Sequence, residues 1–211
     1  MSMEGINWGE INNQAAKISS NFTELRTSIQ DCLKSFGDQL TPVWASGNAI
    51  KFGDNLVASA SELDTTMYDA NSHIGEVLSK AAQIYADKFQ VANDFHYGNY
   101  LKLESLENTF KETVNGITGM NKTVVTEALD NFTKTSQTAF ETFNKNLMQI
   151  NIGIYDNAGA QQAAFKDVLE EMMSKIGSVL ESLIGEVKTG IDTEIDNVEL
   201  AKTQTTSTFN Q

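Results

Sequence analysis

Two histidines, one cysteine and 28 carboxylates are the side chains of this chain that would do chemistry. Their spacing does not assemble it. His73 and His96 are the only histidines, and a zinc site needs three or four ligands at suitable spacing. A carboxylate-bridged metal site would need Glu-x-x-His pairs on facing helices, and the chain has none. His73 precedes a ladder position and is expected at the surface or rim. Cys32 falls on a core position of a helical ladder, where a thiol behaves as a small buried hydrophobe. A single cysteine excludes a disulfide within the chain. No Gly-x-Ser-x-Gly elbow and no Gly-Lys-Ser/Thr phosphate loop occur. Paired acids such as Glu170-Glu171 read as a solvated helix face. The expectation is a protein without catalytic residues, cofactor or metal.

The charge balance restricts partners. Net charge is −13, from 28 acids against 15 bases, with Arg26 the only arginine. Without a basic stripe the chain cannot neutralise phosphates, which argues against nucleic acid and against an anionic membrane surface. From Asp156 to Glu199 ten acids face only Lys166, Lys175 and Lys188. Solubility is the simplest role of that charge. The N-terminal residues have neither a basic nor an apolar segment of a secretory signal, and no stretch approaches the ~18 apolar residues of a membrane span. Three Asn-x-Thr acceptor patterns, at Asn21, Asn121 and Asn131, therefore imply no glycosylation.

What the sequence does specify is helix. Trp8, Ile11, Ala15, Ile18, Phe22, Leu25, Ile29, Cys32 and Phe36 alternate steps of 3 and 4, a seam that needs a partner helix. A second ladder runs through Leu56, Ala60, Leu63, Met67, Ala70, Ile74, Val77, Ala81 and Ile84. Between them lies the only proline, Pro42, which pushes Thr41 out of the helical region. Helix one is predicted from an Asn7 cap to Leu40. Helix two is predicted from between Asn48 and Asp54 to about Asn93–Tyr97, with Gly98 as its cap. The two should fold back as an antiparallel hairpin.

A third segment is predicted from Asn99 to Ile154, with a kink or break at Gly116-Ile117-Thr118-Gly119. Its ladder includes Leu106, Phe110, Val114, Val125, Leu129, Phe132, Phe143, Leu147 and Ile150. The last helix should begin near Ala160 and carry Val168, Met172, Ile176, Val179, Leu183, Val187, Ile191, Ile195 and Val198. Its steps are mostly 4, closer to an eleven-residue than a seven-residue repeat. Off the seams, Leu33, Leu40, Leu78, Tyr85, Phe89, Leu180 and Ile184 widen the apolar faces. The fold class is all-α, with elongated antiparallel hairpins forming a four-helix bundle or a coiled-coil-like assembly. Residues 1–98 form the first hairpin, 99–202 the second, and 203–211 are expected to be a disordered tail.

The two turn regions match in plan. Val43-Trp44-Ala45-Ser46-Gly47 sits between the first two helices, and Ile154-Tyr155-Asp156-Asn157-Ala158-Gly159 lies 111 residues later. Tyr155 and Gly159 would form a second turn motif. Either two hairpins stand in tandem, or both turns have independently collected Gly, Asn and an anchoring aromatic residue.

Residues 1–104 resemble the Trp-x-Gly (WXG, ESAT-like) helical-hairpin family of type VII secretion proteins. The matching residues are Trp44 and Gly47, placed between two long amphipathic helices, with glycine one position later than in the family pattern. Tyr100-Leu-Lys-Leu-Glu104 matches the family's Tyr and acid of an export signal. The resemblance implies a non-enzymatic protein acting by helix packing: a type VII secretion substrate, or a partner or chaperone that escorts one. Its partner would be itself or a related helical hairpin. It would be exported without a cleaved signal peptide and cytoplasmic before export. Trp44 would plug the hairpin end and Gly47 permit the tight turn. The rival reading is a structural self-assembling protein, such as a filament, rod or coat subunit.

Overall fold

A computed structural model describes residues 3–98, 105–156 and 158–210. The chain is all-α. Among the described residues four helices carry it, each preceded by a two-residue strand: β1 (Gly5–Ile6), α1 (Trp8–Leu40), β2 (Trp44–Ala45), α2 (Gly47–Phe89), β3 (Gly119–Met120), α3 (Lys122–Leu147), β4 (Ile154–Tyr155) and α4 (Ala160–Phe209).

Local chemistry fixes most boundaries. Asn7 caps α1, its Oδ1 accepting the Glu10 N–H at 3.0 Å. Ser46 caps α2, its Oγ accepting the Ala49 N–H at 3.0 Å. α2 stops earlier than the sequence suggests. Gln90 adopts φ +54°, and the Val91 N–H bonds back to the Ala86 carbonyl at 3.0 Å, the closing bond of a Schellman cap. Gly98 is therefore not the terminator. The released chain bends back over α1 and α2, where Asn12 donates to the Asp94 carbonyl at 2.7 Å and accepts the His96 N–H at 2.8 Å.

The third helix is the largest correction. Where a helix was expected from Asn99, the described residues 105–118 are non-helical and α3 begins only at Lys122. Asn115 and Gly116 both take positive φ (+51° and +75°) in a tight turn closed by reciprocal Val114 and Ile117 bonds. Leu106 and Phe110 are thus ladder-like residues that serve as anchors of an extended segment. The expected disordered tail is also corrected, since α4 runs on to Phe209. No proline or glycine interrupts it after Gly190. The hydroxyls of Thr203, Thr205 and Thr208 bond the carbonyls four residues back at 3.0, 2.8 and 2.9 Å.

Two compact units result. The first comprises Met1–Ser28, Asp64–Leu103 and Thr138–Ser178, and the second Ile29–Leu63, Glu104–Gln137 and Val179–Gln211. Each combines segments of all four helices, so neither follows the division into residues 1–98 and 99–202. The first unit buries Ile11, Ile18 and Phe22 of α1 with Met67, Ile74 and Leu78 of α2, Phe143 and Leu147 of α3, and Leu169 and Ile176 of α4. Phe22 and Phe143 meet edge to face at 4.9 Å. The second unit buries Ile29, Leu33, Phe36 and Leu40 with Leu63, Val125, Phe132, Leu183 and Ile191. There Phe36 stacks on Phe132 at 4.7 Å. Cys32 is buried as expected, 3.4 Å from the Ser136 hydroxyl, and burial pushes its thiol up from the ordinary value.

The first heptad stays buried from Ile11 to Phe36. The second does not. After Ile74 the buried line moves to Leu78, Ala82 and Ala86, steps of 4, leaving Val77 and Ala81 half-buried and Ile84 59% exposed. Over this end of α2 the core follows steps of 4, so the 3.5-residue line drifts outward, whereas α1 keeps its seam buried.

Candidate functional site

The turn between α1 and α2 lies in the second unit, and its aromatic residue is an interior anchor. Trp44 is 1% exposed. Its ring packs on Phe52 at 4.7 Å and edge-on to Phe110 at 5.7 Å. β2 pairs antiparallel with β3, Trp44 opposite Met120 and Ala45 opposite Gly119. The Asn121 N–H extends the ribbon to the Val43 carbonyl at 2.8 Å, and Asn121 then caps α3. Asn108 clamps the other side, donating to the Ile50 carbonyl at 2.8 Å and to Asp54 at 2.7 Å.

Glu194 of α4 closes this corner. It is 6% exposed and occupies the step after Leu183, Val187 and Ile191 on the buried face. Its Oε1 accepts the Trp44 indole N–H at 3.3 Å and the Ser46 hydroxyl at 2.9 Å. Its Oε2 accepts Asn48 Nδ2 at 2.9 Å and Asn197 Nδ2 at 3.2 Å. Burial alone would push the carboxyl up. The hydrogen bonds from Asn48, Ser46, Asn197 and Trp44 outweigh it and hold the group below its ordinary value of 4.5. A charge on a core position is thus retained because every lone-pair direction is used.

The first unit contains a counterpart. β1 pairs antiparallel with β4, Gly5 opposite Tyr155 and Ile6 opposite Ile154. The Asn7 N–H reaches the Gly153 carbonyl at 2.8 Å. Gly5-Ile6-Asn7 and Gly119-Met120-Asn121 do the same work, and their glycines share φ of +156° and +153°. Asp156 caps α4, its carboxylate accepting the Ala160 and Gln161 N–H groups at 3.1 and 2.9 Å. The register corrects the expected alignment of the two turns by one residue. Ile154, not Tyr155, stands in the Trp44 position. Ile154 is buried, whereas Tyr155 is 44% exposed.

A groove flanks each ribbon. In the second unit, an open groove of about 970 Å³ runs between the start of α2 and the end of α4. It is lined by polar side chains such as Asn48, Lys51, Asn55, Glu186 and Glu194 together with apolar Phe52, Leu56 and Val187. In the first unit, one of about 580 Å³ runs between the end of α2 and the start of α4. Val77, Ala81, Ile84, Tyr85, Phe89, Ile154, Phe165 and Val168 line it, with Lys88 the only charged lining residue among the described residues. Ile84 and Phe89 are 59% and 61% exposed.

Gly47 is exposed, and a Cβ added there would meet nothing. Its φ is not in the left-handed region, so Pro42 and the Ser46 cap make the turn and no glycine is required. Gly159 does take φ +69°. Gly153 is the demanding glycine of that region: φ is +71°, and a Cβ would lie 2.5 Å from the Ile11 backbone nitrogen. His73 and His96 are both exposed, as are Glu170 and Glu171. Tyr100 and Glu104 lie outside the described residues. Sequence reasoning missed Glu194 and Phe110. The signal for Glu194 was present, because a step of 3 from Ile191 lands on it, but hydrophobicity favoured Ile195, which is only half-buried. No helix among the described residues is long and apolar enough to cross a membrane. Comparison with protein-family models, with curated proteins and with solved structures finds no match to this chain.

Proposed function

We propose that this protein acts by protein–protein contact through its helical faces, as a type VII secretion substrate or as an escort of one. The observation that carries the reading is the Trp44 turn. Its inner side is immobilised by Phe52, Phe110 and Glu194, while Pro42, Gly47 and Asn48 are exposed on its outer side. A surface held rigid before binding loses little entropy when a receptor takes it. A buried Trp44 supports the plug that the resemblance implies, although Gly47 is not needed to make the turn.

Export into the medium tests the reading, with Gly47→Glu as the informative variant. The position is open and begins α2, where an acid is tolerated or favoured, so folding should be unchanged. Loss of export with an unaltered circular dichroism spectrum is the expected result, and Tyr100→Ala should also reduce export. No export of the wild type, or export of both variants equal to that of the wild type, refutes the proposal.

A further inference from the structure

We propose that the end of α4, Val198–Phe209, half-buried at Val198 and exposed beyond it, of one molecule docks into the apolar groove of the first unit of a second copy, head to tail. Two unsatisfied surfaces of one chain match each other. The groove has an apolar floor and leaves Ile84 and Phe89 largely in solvent, a patch of the kind that marks an interaction site. The helix end has the opposite deficit. Every residue from Glu199 to Asn210 is exposed, with Leu200 at 56% and Phe209 at 82%. These turns prolong α4 while exposed throughout, so Leu200 and Phe209 gain burial from a seat.

The chemistry and the dimensions agree. Val198, Ala201, Thr205 and Phe209 follow at steps of 3, 4 and 4, one face of a helix. At ~1.5 Å per residue this face is about 17 Å long, and the α2 wall from Val77 to Phe89 is about 18 Å. Charge permits the approach. In a chain of net charge −13, Leu200 to Gln211 holds no carboxylate and only Lys202, which already pairs with Glu199 at 3.3 Å. Because groove and helix end are different surfaces, the contact is heterologous and need not close. The inference does not depend on export: it concerns how copies of this chain meet, whatever the destination.

Sedimentation and light scattering on the full chain over a range of concentrations test it, with Ile84→Glu and Phe209→Asp. Both positions are exposed, so circular dichroism should be unchanged. The wild type should show an average mass that rises with concentration past two chains. Each variant should weaken association at least tenfold. An equimolar mixture of the two variants should recover a species of two chains, since one intact groove then meets one intact helix end. A wild type that stays monomeric at every soluble concentration overturns the proposal. So do variants that associate like the wild type, and so does a mixture that stays monomeric.

Discussion

The two ribbon corners share a plan and differ in chemistry. Both pair a Gly-apolar-Asn strand, whose Asn caps the next helix, with a strand whose end caps another. Both leave a groove beside the ribbon. In the second unit the apolar position of the second strand is Trp44 and the residue three after Ile191 is Glu194. In the first unit Ile154 takes the Trp44 position, and α2 lines the groove with apolar side chains such as Ile84, Tyr85 and Phe89. One corner is closed by four hydrogen bonds to a carboxylate, and the other presents apolar side chains to solvent. The lesson is that a repeated backbone frame tolerates exchange between a polar lock and an open apolar seat.

The comparison can be broken by substitution. Trp44→Ala should have the largest effect, about 3–5 kcal/mol lost in urea unfolding, because it empties a site buried against two rings and removes a donor from Glu194. Ile154→Ala should follow, at ~2–4 kcal/mol, while Tyr155→Ala should stay within ~0.5 kcal/mol because the ring is exposed. If Tyr155→Ala costs more than Ile154→Ala, the one-residue correction of the alignment is wrong. Gly153→Ala should cost ~1–3 kcal/mol from its backbone conformation alone, with the approach to Ile11 added. Gly47→Ala, at the start of α2 with open space around it, should be neutral or slightly stabilising. Asn7→Ala and Asn121→Ala should each cost ~1 kcal/mol. Unequal losses there would sharpen the comparison, showing that one cap carries more of its ribbon than the other.

Much of this was legible in the residues. The α1 seam, its Asn7 cap, the Pro42 stop and the Ala160 start follow from spacing and cap chemistry, which are local and unambiguous. The errors share a cause. Leu106 and Phe110 fit a helical ladder because apolar anchors of an irregular segment carry no periodic signature of their own, and the Asn115-Gly116 turn pair was read only as part of a kink or break at Gly116–Gly119. The heptad of α2 was extended to Ile84, although helix geometry turns that line out of the core after Ile74. The lock was missed for a different reason. A glutamate on the buried face looks like surface until Trp44, Ser46 and Asn48 arrive from about 150 residues away in sequence.

The sign of its pH dependence makes Glu194 testable. Its folded pKa is held below the ordinary value of 4.5. The stability it contributes is therefore present above pH 4.5 and lost as the pH falls through the folded value. The most direct test of the locked corner is urea unfolding of the wild type and Glu194→Gln across that range. At pH 7 the variant should be less stable by about 1–3 kcal/mol, the usual cost when buried donors lose a charged acceptor, and the gap should close as the pH falls well below 4.5. A variant as stable as the wild type at pH 7, or a gap that does not change with pH, contradicts the lock.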